Sequence, residues 1–236
     1  MKNTKNLISS ASGIAKWHLP AMIIVFCSAF TNAQETDLTP SFKQAIEISP
    51  LRLFDGTFQM SYDRKVSDKW SINMSGQGTY ASENGYGKMY LESQKNVLSY
   101  TIGDMYFSPR MITGFGAGIE GRNYLRSRSG LPLGLYAAPY LSYRKVWMTS
   151  TSYSWENDKP VEKDHTRNLD IFSGGVLLGG RLGVIKKIYS VDFSAGAGIR
   201  FSKYSDENHF TRFRTMKALD YSGVLPTASL KIGILK

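Results

Sequence analysis

Apolar and polar residues alternate one by one from Val191 to Phe201. Val191, Phe193, Ala195, Ala197, Ile199 and Phe201 fall on one side, and Asp192, Ser194, Gly196, Gly198 and Arg200 on the other. A period of two over eleven residues predicts a β-strand with one apolar and one polar face. Its length matches the roughly 9–11 residues with which a tilted strand crosses a bilayer. The same unit recurs. Residues 43–53 place Ile46 and Ile48 opposite Glu47 and Ser49. Residues 57–66 place Phe58, Met60 and Tyr62 opposite Gln59, Ser61, Asp63 and Lys65. Residues 70–80, 111–124, 133–148, 169–184, 189–201 and 224–236 repeat it, which predicts eight strands.

The segments between these strands differ in length in a regular way. Those after the second, fourth and sixth strands are short or modest, at 67–69, 125–132 and 185–188. Those after the third, fifth and seventh are long and polar, at 81–110, 149–168 and 202–223. Short turns on one side and long loops on the other are the asymmetry of an outer-membrane barrel. Residues 98–107 read as part of a loop extension, because a ninth strand would break the even count such barrels favour. Pro139 inside the fifth strand predicts a bulge.

Composition agrees with this picture. Of 236 residues, 14 are Tyr and 12 Phe, and 22 are Gly. The mean hydropathy is −0.25, compatible with a chain that exposes apolar side chains only at alternate positions. The beginning of the chain reads as a secretory signal. Lys2, Lys5 and Lys16 precede an apolar run at 19–30 that is too short to span as a helix, and Thr31-Asn32-Ala33 offers a cleavage site between Ala33 and Gln34. Residues 34–42 would then be a periplasmic lead and 43–236 the barrel. Cleavage would remove the one cysteine, Cys27, and lower the net charge from +10 to +7 through loss of three Lys.

An eight-stranded barrel is about filled by its own inward side chains. The inward set contains Glu47, Asp63, Glu120 and Asp192 with Lys65, Arg122, Arg144, Arg181, Arg200 and Lys231. Such charges are costly in isolation and predict a paired network plugging the lumen. The excess of two cations leaves a narrow anion-preferring pore as the alternative. A soluble lipocalin-like carrier, with the apolar face turned inward, shares the period and the strand count.

The signals for chemistry are weak. Asp164 and His165, or Ser205, Asp206 and His209, would need a geometry that adjacency in a charged loop does not supply. Two histidines with scattered acids do not make a metal site, and no phosphate-cradling loop appears. No catalytic, metal or cofactor residue is assigned. Arg212, Arg214 and Lys217, interleaved with Phe210 and Phe213 in the last loop, read first as a solvated basic loop, with a polyanion contact as the alternative, suited to lipopolysaccharide phosphate rather than nucleic acid in an exported protein.

Several short motifs carry a family likeness. They are Tyr62-Asp63-Arg64-Lys65-Val66 with Lys69-Trp70-Ser71-Ile72, Gly134-Leu135-Tyr136-Ala137-Ala138-Pro139-Tyr140, Gly174-Gly175-Val176 with Gly179-Gly180, the stretch from Val191 to Arg200, and Leu225-Pro226-Thr227. Together the chain resembles the small single-domain bacterial outer-membrane β-barrel families of unknown function, of OmpA/OmpX-like architecture. The resemblance implies an all-β, eight-stranded, antiparallel up-and-down transmembrane barrel. It also implies export and assembly machinery as partners, a lipid surround and a monomer. It implies no catalytic residues. The expected role is structural or surface-interacting, through the long loops.

Overall fold

A computed structural model describes residues 43–236 apart from 86, 99, 103–104, 126–133, 157–158, 185–187 and 206–214. Eight strands close into one antiparallel barrel: β1 (Gln44–Ile48), β2 (Thr57–Lys65), β3 (Trp70–Ser82), β6 (Met111–Tyr124), β7 (Gly134–Glu156), β8 (Lys159–Val184), β9 (Tyr189–Tyr204) and β10 (Gly223–Leu235). Each pairs with its neighbour in sequence, and β1 pairs with β10 to close the ring. The short strands β4 (Tyr100–Ile102) and β5 (Met105–Phe107) make a separate hairpin, outside the barrel as expected. The helix α1 (Lys88–Leu98) precedes them. No helix among the described residues is long and apolar enough to cross a membrane, which bears only on helices.

The faces fall as the alternation requires. Outward positions are apolar and exposed: Ile46, Met60, Phe115, Leu141, Val176, Leu178, Val224 and Ile234 are 52–67% exposed. Inward positions at the end bearing the short turns are charged and buried: Asp63, Arg122 and Arg181 are each 0% exposed. This is the reverse of a water-soluble barrel, whose apolar face is inside.

Three strand assignments differ from the sequence pattern. The first strand stops at Ile48 rather than continuing to Leu53. Pro50 has no N–H to give a ladder and opens a 3-10 turn over Pro50–Asp55, which ends at Gly56 with φ 64°. Residues 149–168 are not a loop: β7 and β8 continue through them as a hairpin paired from Thr149 with Thr166 out to Glu156 with Lys159. Residues 81–110 contain α1, whose inner face is Leu91, Gln94 and Leu98. Pro139 makes no bulge either. The β6–β7 register is the same on both sides of it, with Glu120 opposite Tyr140 and Asn123 opposite Ala137. The ladder is interrupted there and then resumes.

The early end of β1 leaves a mark on the wall. β10 pairs with β9 from Gly223 to Ile234, but with β1 only from Ile232 to Leu235. Along Leu225–Leu230 its other edge has no strand partner among the described residues, and the 3-10 turn occupies that side. Pro226 lies in this segment, where a missing N–H costs no ladder bond on the open side.

Candidate functional site: two clusters in the lumen

The lumen is layered. At the turn end, residues from all eight strands form one network around two guanidinium groups. Arg122 Nη1 donates to Asp63 Oδ2 at 2.6 Å and Asp192 Oδ2 at 3.0 Å, while its Nε and Nη2 donate to Glu120 Oε2 at 3.1 and 2.9 Å. Arg181 Nη2 donates to Glu47 and, at 2.7 Å, to Asp63 Oδ2. Lys231 Nζ donates to Glu120 Oε1 at 2.7 Å and Asn73 Oδ1 at 3.1 Å. Asn73 passes the chain on to Glu47 Oε2 at 3.1 Å. Tyr136 donates to Asp192 Oδ1 at 2.7 Å and lies under Arg122, 5.0 Å from ring centre to guanidinium carbon.

The network holds four carboxylates, of Glu47, Asp63, Glu120 and Asp192, against three cations, Arg122, Arg181 and Lys231. Its formal charge is therefore −1. Forked Arg–carboxylate contacts are the strongest form of this pairing. Register explains the meeting: Ser71 is opposite Arg122, Arg181 opposite Asp192, and Asp192 opposite Lys231.

Three predicted members of the lumen network lie elsewhere. Lys65 is near the mouth and donates to Asp68 of the following turn at 2.8 Å, because β2 ends at that residue. Arg144 and Arg200 face inward but sit towards the loop end. There they join Arg52, which the sequence pattern placed in a strand and left without a role. Arg52, Arg144 and Arg200 lie close enough for their charges to repel one another. Among the described residues the one carboxylate with them is Asp55, 3.8 Å from Arg52. Arg144 Nη2 donates to Thr79 Oγ1 at 2.7 Å and Thr57 Oγ1 at 3.4 Å. All three arginines line a cavity of about 220 Å³, together with Ser49, Tyr140 and Leu225–Leu230 of β10.

Above the arginines the inward face turns apolar. Ile112, Val146, Met148, Leu169 and Ile171 meet Leu91 and Leu98 of α1 and Ala218 and Leu219 of the last loop, all 0–4% exposed. Gln94 ties these pieces together, donating to the Lys217 carbonyl at 2.9 Å and accepting from the Leu219 N–H at 2.8 Å. Lys217 itself is exposed, while Arg212 and Arg214, its partners in the expected polyanion contact, lie outside the described residues. Ala33 and Gln34 lie outside them too.

The loop residues considered for catalysis engage in local bonds. Asp164 accepts from Thr151 at 2.9 Å, and Ser205 donates to Asp170 at 3.5 Å. Asp206 and His209 are outside the described residues. Among the described residues no group of three or more His, Cys, Asp and Glu could hold a metal ion.

A charged Arg52 on the outward parity of Ile46 and Ile48, just after Pro50, is a sequence signal that the strand has ended, and Val146 and Met148 on the inward parity of Arg144 are the signal for the apolar cap. No family model matches the chain, and neither a curated protein nor a solved structure matches it.

Proposed function

We propose that this protein is an integral outer-membrane β-barrel with a plugged lumen, acting as a structural or surface-interaction protein through its loop end. One observation carries the reading: an exposed apolar belt encircles a barrel whose interior is charged and buried. Exposed on that scale in water, the belt would promote association, whereas lipid solvates it. Aromatic residues lie towards both margins of the belt, Trp70 and Tyr189 at the turn end and Phe58, Phe115 and Phe172 at the loop end. That distribution suits the two membrane interfaces. The family resemblance of the short motifs points the same way, as does the signal-like leader. The same face assignment weighs against a soluble carrier.

The turn-end network favours a plug over a pore. Arg122, Arg181 and Lys231 are 0–2% exposed, and each is ion-paired with a carboxylate from another strand. The reading gives the barrel no catalytic role. Its partners would be outer-membrane lipid, lipopolysaccharide and the assembly machinery.

The test is gel mobility of the detergent-extracted membrane fraction, boiled against unboiled, followed by planar-bilayer recording. A heat-dependent shift without stable conductance steps is expected. Recovery in a soluble fraction would overturn the membrane reading, and steady ion steps would replace the plug by a pore.

A further inference from the structure

We infer that the arginine-lined cavity at the loop end binds the anionic headgroup, phosphate or carboxylate, of a single-chain amphiphile that enters sideways past the free edge of β10. The inference rests on the membrane reading and assigns that barrel a ligand.

The first ground is charge. Arg52, Arg144 and Arg200 face one cavity with Asp55 as their nearby carboxylate, so the cluster carries a formal +2. Like charges held together around one space repel. An anion would convert that repulsion into attraction.

The second ground is unmet hydrogen bonding. The Nε groups of Arg144 and Arg200 and the hydroxyl of Ser49 are buried polar atoms without a hydrogen-bond partner, and all three residues line the cavity. Buried polar groups are as a rule paired, so three exceptions around one space mark a place for a polar ligand. Guanidinium groups present planar forks that match phosphate and carboxylate oxygens.

The third ground is access. The salt-bridged network closes the lumen on the turn side, and the apolar cap built on Leu91, Leu98, Met148 and Leu169 closes it on the loop side. The wall beside β10 is different. Six consecutive residues, Leu225–Leu230, line the cavity. Successive strand residues point to opposite faces, so a cavity touching all six runs along the strand's edge. That edge is the one β1 leaves unpaired beyond Ile48. The 3-10 turn fills the space with Arg52 turned to the cavity, while Leu51, Leu53 and Phe54 are 47%, 41% and 75% exposed. A route with arginines inside and Leu51, Pro226 and Leu230 along it suits a charged head followed by an acyl chain. The volume of about 220 Å³ takes the head and its first carbons, leaving the chain in the belt.

The test uses the full chain, extracted in a neutral maltoside detergent and labelled with nitrogen-15. The probes are dodecyl phosphate, inorganic phosphate and dodecanol. The readout is the set of arginine Nε–Hε signals, assigned through Arg144→Lys and Arg200→Lys. Dodecyl phosphate is expected to move both signals saturably. Inorganic phosphate should bind at least tenfold more weakly, and dodecanol should leave both signals in place. Arg144→Gln combined with Arg200→Gln should weaken dodecyl phosphate at least tenfold. Arg200→Gln alone serves if the double variant loses its heat-dependent gel shift. Equal binding of inorganic and dodecyl phosphate overturns the inference, as does an equal response to dodecanol, undiminished binding by the variants, or no response at all. The wild-type gel shift, read on the same preparation, separates these failures from failure of the membrane reading, which would overturn both.

Discussion

Two layers of one lumen, about half a strand apart, handle arginine in opposite ways. At the turn end Arg122 and Arg181 sit among four carboxylates, and their charge is slightly over-compensated. At the loop end Arg52, Arg144 and Arg200 share one carboxylate among the described residues, that of Asp55. The inward face is continuous between them, so the difference is not one of burial alone. A barrel plug needs only that charges cancel and fill space. A layer with cations in excess beside a cavity has been left incomplete by the chain itself. The contrast separates a structural cluster from one suited to a ligand.

The contrast is broken most directly by removing one arginine from each layer. Arg122→Ala leaves Asp63, Glu120 and Asp192 buried with too few cations. Breaking a buried ion pair in this way costs about 3–5 kcal/mol. Arg200→Ala relieves like-charge repulsion and should leave stability within about 1 kcal/mol of wild type. Urea unfolding of the detergent-solubilised chain measures both. Equal losses at the two positions would mean that the layers do not differ in kind.

The apolar cap is the next largest effect. Leu91 is 0% exposed and packs in the cluster that roofs the arginine layer. Leu91→Ala should cost about 2–5 kcal/mol through lost transfer energy and a residual cavity. Much of that loss should appear as faster amide exchange in α1 and the 215–221 segment rather than across the barrel. Uniform acceleration would show that the cap and the wall unfold as one unit. A third change probes the space between the layers. A Cβ at Gly198 would collide with the Tyr140 hydroxyl and the Gly174 carbonyl. Gly198→Ala should therefore displace Tyr140 and destabilise by about 1–3 kcal/mol, the usual range for overpacking.

Most of the barrel is legible from alternation, because each strand has one face in an apolar surround and one in a polar interior. Ile46 against Glu47, and Phe193 against Asp192, already give the faces. What alternation cannot give is height. The inward acids and cations read as one set with two surplus cations, yet register gathers every acid of that set at the turn end and leaves Arg144 and Arg200 above them. Leu51 and Leu53 fall on the parity of Glu47 and Ser49, so the alternation already breaks after Ile48, and Pro50 and Gly56 signal the end of β1 there. The 149–166 hairpin has little apolar contrast, and its ladder is backbone pairing that a polar sequence can make as well. In α1, Leu91 and Leu98 are a weak helical signal because Gln94 stands between them as a buried polar tie.

The smallest effect concerns a clamp outside the barrel wall, where paired charges also meet water. Lys95 of α1 donates to Glu83 Oε1 at 2.6 Å, and Arg110 Nε donates to Glu83 Oε2 at 3.1 Å. These bonds, Lys95 first, hold the Glu83 carboxyl below the usual carboxylate range. A carboxyl lowered in the folded state stabilises fully above its unfolded pKa, about 4.3, and that contribution is lost as pH falls through the folded value. The side chain of Glu83 is 29% exposed, so the whole effect stays below about 1 kcal/mol and shrinks with salt. Amide protection in α1, taken relative to the intrinsic exchange rate at each pH, should therefore fall between pH 5 and 3, by less than about fivefold at that energy, and Glu83→Gln should remove that fall while leaving protection of the barrel strands unchanged. An equal loss of protection in Glu83→Gln would place the sensitivity in the carboxylates of the turn-end network. The division between a sealed lower layer and a solvent-linked upper one would then fail.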